Sequence, residues 1–212
     1  MPTSKFEKLL PYTGVLAGIL FAVNGYVAKY SDKFGDPQAV QIIKDNMTRN
    51  IVAAVAAALF GVVMVFFAAA LRSALRSGEG NESTYSSVAY GGALMVGFSQ
   101  LMVAWLMFAG ADAADKGDAN AVQTLSYLGI DSWLPWVAAS AALLIATGLG
   151  GLRTAVLPRW LSIVTIVLGV MCLLGPTGIA VWFATPVWLA VTGLILAQRQ
   201  TTTQDTRVPV RA

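Results

Sequence analysis

Histidine does not occur in these 212 residues, and cysteine occurs once, as Cys172 inside an apolar stretch. A disulfide within the chain is therefore excluded, as are the usual zinc, haem-histidine and iron–sulfur sites. A lone thiol surrounded by apolar side chains is inert, so Cys172 is read as packing. Charge is nearly as scarce: 12% of residues are charged, and 14 basic against 11 acidic groups leave a net +3. That small excess lies near the ends of apolar runs. It suits anchoring at a membrane surface and excludes nucleic acid as a partner. The interiors of those runs contain no His, Asp, Glu or Lys. General acid–base work has no group to use there, and no catalytic residue, metal site or cofactor is expected.

What remains is apolar. Hydrophobic residues make up 57% of the chain and the mean hydropathy is +0.67, more than a soluble domain can hide from water. About 20 helical residues cross a hydrocarbon core of ~30 Å. Six runs approach that length: Pro11–Lys29, Ile51–Leu71, Val88–Ala111, Trp133–Leu152, Trp160–Gly175 and Ile179–Ala197. The expected fold is all-α, a polytopic transmembrane helical bundle of six spans filling residues 1–197. Residues 198–212, rich in Thr, Gln and charge, are expected to form a disordered tail. The fifth run is short and Pro186 interrupts the sixth, so the C-terminal hairpin 160–197 is the least regular part.

Positive residues stay on the cytoplasmic side. With six spans and both termini inside, the inner side holds Lys5, Lys8, Arg72, Arg76, Arg153, Arg159, Arg199, Arg207 and Arg211. Lys29, Lys33, Lys44, Arg49 and Lys116 are outside, and nine against five favours this orientation in a cell membrane.

The chain also repeats itself. Gly35-Asp36-Pro37-Gln38-Ala39-Val40-Gln41-Ile42-Ile43 matches Gly117-Asp118-Ala119-Asn120-Ala121-Val122-Gln123-Thr124-Leu125 at an offset of 82 residues. Leu71-Arg72-Ser73-Ala74-Leu75 matches Leu152-Arg153-Thr154-Ala155-Val156 at an offset of 81. A parallel duplication of a two-span unit follows, over residues 11–75 and 93–156. In each outer loop the aspartate after the glycine, Asp36 or Asp118, is placed to N-cap a short helix. Ala39, Ile42 and Ile43, or Ala121, Val122 and Leu125, would turn toward the bilayer or the bundle.

The Gly-Asp pairs, Leu157-Pro158-Arg159-Trp160-Leu161 and Gly175-Pro176 together resemble the uncharacterised bacterial multi-spanning membrane proteins grouped under a domain of unknown function. That resemblance implies a bacterial inner-membrane protein of six spans and carries no activity.

Polar atoms within the runs are few. Gln100, mid-span, is expected to hydrogen-bond between helices or else to meet a ligand. Asn24, nearer the outer face, suits capping or interfacial hydration. Small residues mark helix packing: Gly14 and Gly18 form a GxxxG, and Ala138, Ala142 and Ala146 lead a ladder to Gly150. Trp133, Trp136, Trp160, Trp182 and Trp188 flank spans as interfacial anchors. The acidic residues Asp112, Asp115, Asp118 and Asp131 lack the spacing of a calcium loop and read as a solvated surface. The expected function is a non-enzymatic accessory or scaffold subunit in contact with lipids, packing against another membrane protein or itself. The alternative is a small carrier or lipid-binding protein with a cavity between the repeats.

Overall fold

The structure, a computed structural model, describes residues 9–29, 38–80 and 83–205; among them it contains helices and connecting turns and no strand. A 3-10 turn at Leu10–Tyr12 opens α1 (Thr13–Val27). The short α2 (Ala39–Asp45) leads into the long α3 (Met47–Glu79) and α4 (Thr84–Asp115). A second surface helix, α5 (Ala119–Asp131), precedes α6 (Trp133–Thr154), and α7 (Arg159–Leu173) and α8 (Gly178–Asp205) complete the chain. In lipid only such internally hydrogen-bonded segments leave no backbone group unpaired.

Five stretches are long and apolar enough to cross a membrane: Leu10–Val27, Met47–Glu79, Thr84–Asp115, Ala119–Thr154 and Gly175–Arg199. The fifth apolar run falls short of that length, because α7 has 15 residues and measures about 22 Å. Its C-terminal Leu174 is followed by Gly175 at φ +68°, and Gly175–Thr177 form a 3-10 turn. Pro186, by contrast, does not break the last helix. The helix also runs on to Asp205, through the first part of the segment expected to be disordered. Residues 206–212 lie outside the described residues.

The six larger helices pack as a ring in chain order, α1 on α3, α3 on α4, α4 on α6 and α6 on α7; α7 meets α8 more thinly, and α8 returns to α1. Glycines set the tightest seams. A methyl group on Gly18 would lie 2.5 Å from the Pro186 carbonyl oxygen, and one on Gly14 would lie 2.7 Å from that of Leu189. Gly193 faces Pro11 and Gly14 in the same way. The GxxxG face of α1 thus closes the ring within the chain. Gly61 of α3 meets Gly97 and Leu101, and Gly150 of α6 meets Tyr85 and Leu75. Ala146 is buried along with Gly150, whereas Ala138 is exposed and Ala142 half-buried.

At one end of the ring, α2 and α5 share a small apolar cluster of Ala39, Ile43, Ala113, Ala114 and Val122, with Val40, Ala121 and Leu125 against it. The junction before α5 is closely specified. Gly117, at φ +72°, lets its own N–H bond the Ala114 carbonyl and the Asp118 N–H bond the Ala113 carbonyl, closing α4. The Asp118 carboxylate then accepts from the Ala121 N–H at 3.0 Å and opens α5 as expected. The N-cap position of α2 is Gln38, two residues past Asp36, which lies outside the described residues. The opposite end carries Arg72, Arg76, Arg153 and Arg199. There α6 stops at Ala155 in the left-handed conformation (φ 54°), and its carbonyl accepts a hydrogen bond from Arg199.

These contacts predict opposite responses to the same small substitution. Gly18→Ala should lower stability by about 1–3 kcal/mol, because backbone must move to admit the methyl group. Gly91 faces open space, so Gly91→Ala should be neutral or stabilise by up to ~1 kcal/mol through helix propensity. Thermal unfolding of the purified protein in mild detergent compares the two, and equal tolerance would contradict the α1–α8 seam.

Candidate functional site

On α4 the spacing of Ala93, Val96, Gln100, Val103 and Met107 repeats at three or four residues, which sets all five on one helical face. All five are buried. Gly92 packs against Leu143 and Gly150 against Tyr85, so α4 and α6 run antiparallel with Gln100 level with Trp136. Gly61 against Gly97 and Leu101 brings Phe60 to the same depth. An aromatic layer occupies this level. The Phe21 ring lies 5.4 Å from Phe60, 5.7 Å from Trp136 and 4.4 Å from Trp182, and Trp136 lies 5.0 Å from Trp182, centroid to centroid. Trp136 and Trp188 are therefore core residues rather than interfacial anchors. Trp133 and Trp160 are exposed, as anchors would be.

Gln100 is 1% exposed, and neither its amide nitrogen nor its oxygen has a partner among the described residues. Among the described residues the interhelical hydrogen bond expected of it is not made. The Trp136 indole N–H is also unpartnered among the described residues. Leaving a buried polar group unpaired costs about 1–3 kcal/mol.

Asn24 behaves in the opposite way. It is buried rather than hydrated at the interface, and its amide donates to the Ala53 carbonyl of α3 at 3.1 Å and approaches the Met107 sulfur at 3.7 Å. Nearby, Asn50 Oδ1 accepts from the Lys29 N–H at 2.8 Å. Between this group and the surface helices lies a cavity of about 10 Å³, lined by Ile43, Asn50, Leu106, Met107, Gly110, Leu125 and Ser126. It has room for about one water. The Ser126 hydroxyl, unpartnered among the described residues, is a hydrogen-bonding group on its wall.

Toward the arginine end, the Trp188 indole donates to the Thr165 hydroxyl at 2.8 Å, tying α8 to α7. The hydroxyls of Thr147, Ser162 and Thr192 are buried without partners among the described residues. Glu79 is the residue that sequence reasoning missed. It is buried, and its carboxylate accepts from the Ser86 N–H at 2.9 Å and the Ser86 hydroxyl at 2.7 Å, so it caps α4 in place of Ser83. The signal was available as a carboxylate seven residues before a serine in the first turn of the next helix. At the other end Lys116 donates to Asp112 at 2.7 Å, and that bond holds its ammonium above the usual lysine range.

Chemically the interior offers amides, indoles and hydroxyls. Among the described residues, no group of three or more His, Cys, Asp or Glu is gathered in a way that could hold a metal ion. Compared with protein-family models, curated proteins and solved structures, the chain matches none.

The contrast between the two amides is measurable. Asn24→Leu should destabilise by roughly 0.6–1.7 kcal/mol, the range for hydrogen bonds between membrane helices. Gln100→Leu removes two unpaired polar atoms, and its unfolding midpoint in detergent should equal or exceed the wild type's. A larger loss for Gln100→Leu than for Asn24→Leu would contradict this geometry.

Proposed function

We propose that this chain is a non-enzymatic accessory or scaffold subunit of the cell membrane, acting through its lipid-facing surface rather than through an internal site. The observation that carries this reading is that the ring is filled by its own side chains. Phe21, Phe60, Met64, Phe67 and Trp136 are buried at its centre, and the cavity beneath the surface helices admits only about a water. A partner helix would dock on α6, where Ala138 and Ala142 form a shallow outward stripe between Leu134 and Leu149. Shallow side chains let membrane helices approach closely. The partner is another membrane protein or a second copy of this chain.

The carrier reading keeps one specific observation in its favour, the Gln100 amide and the Trp136 indole N–H, both buried without partners among the described residues. An uncharged amphipathic molecule would suit those groups, and admitting it requires the aromatic layer to open. Gln100→Leu would then release a co-purified molecule that wild type retains.

A six-span arrangement, with both ends in the cytoplasm, is supported by the path of the last two helices. Gly178 starts α8 level with Val137, and Arg199 reaches Ala155, so α8 covers the same depth as α6 in the same direction. The chain from Ala155 to Gly178 must cover the same depth in the other direction, about 27 Å along α6. The 15-residue α7 and its 3-10 turn supply that crossing. The duplication is supported by the order of elements and by the shared cluster, in which Ala39 and Ala121, Val40 and Val122, and Ile43 and Leu125 are counterparts. The two units differ at their ends, since α3 continues past Ala74 to Glu79 whereas α6 stops before Ala155.

Two outcomes are expected. Ala138→Phe, at the exposed position of the stripe, should leave the unfolding midpoint unchanged but abolish the co-eluting partner or the dimer in gentle detergent; a wild type that elutes alone would refute the subunit reading. Single cysteines at Ser83 and Thr202 should resist a membrane-impermeant thiol reagent in intact cells while one at Asn120 reacts. Labelling at Thr202 together with protection at Ser83 would mean an odd number of spans.

A further inference from the structure

Arg72 follows directly on the apolar run Ile51–Leu71, so it stands where α3 leaves the hydrocarbon. Its guanidinium carbon sits 5.1 Å from the ring centroid of Tyr90 on α4, and its Nε is buried without a hydrogen-bond partner among the described residues. The nearest carboxylate along α3 is Glu79, which is occupied by Ser86. Asp45, Asp112, Asp115 and Asp131 belong to α2, α4 and α5, and Asp118 caps α5, all at the far end of the ring; Asp205 is the last residue of α8. The stacking on Tyr90 fixes the plane of the guanidinium, and a fixed fork of N–H donors matches a phosphate group. Arg76, one turn further on and exposed, adds positive charge at the same seam.

We propose that Arg72, held on the Tyr90 ring at the α3–α4 seam, binds the phosphate of an anionic phospholipid from the adjoining leaflet. A lipid rather than a free anion is the occupant because the site opens at the membrane surface beside exposed apolar side chains. Val65, Phe66 and Ala69 lie up to two turns before Arg72 on α3, and Met95 and Phe98 lie beyond Tyr90 on α4, all exposed along the path of an acyl chain. Basic groups between helices at an interface recognise anionic headgroups in this way. The site requires only that the chain lies in a bilayer and is independent of the subunit reading.

Native mass spectrometry of the purified protein with equal amounts of phosphatidylglycerol and phosphatidylcholine tests it. Wild type should retain one phosphatidylglycerol in preference to phosphatidylcholine, and R72Q should weaken that retention about fivefold, the share expected of one basic residue at an anionic surface. R76Q should weaken it less. Equal retention of the two lipids by wild type, a reading that needs no variant to fold, would overturn the proposal. So would R72Q behaving as wild type. Displacement of phosphatidylglycerol by an equal concentration of inorganic phosphate would overturn the lipid assignment and leave a free-anion site.

Discussion

The close approach of α1 and α8 is the contact on which the rest of the architecture depends. Between membrane helices apolar surface gains little by leaving lipid, so association rests on packing and on hydrogen bonds. Gly14, Gly18 and Gly193 bring two backbones near enough that an added methyl group would strike a carbonyl oxygen or a neighbouring Cα. This seam joins the first helix to the last, and without it the row of helices in chain order would have two open edges.

Closure sorts the side chains. Large apolar residues such as Met95, Phe98, Trp105 and Ile163 are exposed on the outside, while Asn24, Gln100, Thr147, Ser162, Thr165 and Thr192 are buried inside. A soluble bundle would reverse much of this pattern. The buried polar groups fall into two kinds. Asn24, Thr165 and Glu79 are bonded to a neighbouring segment and hold the ring together. Gln100 and Trp136 share a depth and have polar atoms unpartnered among the described residues, within an aromatic layer that otherwise packs well. That difference separates the residues that build the fold from those with capacity left over.

How much of this was readable in advance varied with the kind of signal. Hydropathy located the long helices, since lipid forces every backbone group into internal hydrogen bonds over about 20 residues. The Asp118 cap was readable because capping is local in sequence, and the Gly-Asp pair encodes both the end of one helix and the start of the next. Long-range facts were not readable. Nothing in Trp136 or Trp188 distinguishes an interfacial anchor from a core ring, because that depends on which helices lie across from them. GxxxG in α1 announced a close contact but not that its partner would be α8. The short α7 fell between categories, too short by length and yet joined to α6 and α8 in a way that only the packing reveals.

The account stands or falls on a closed and self-filled ring. A high-resolution structure of the protein in a lipid nanodisc tests this most directly. The account predicts α1 and α8 in contact with Gly14 facing Gly193, and the space between the helices occupied by Phe21, Phe60, Phe67 and Trp136. A gap between α1 and α8, or elongated non-protein density against the Gln100 amide, would contradict it.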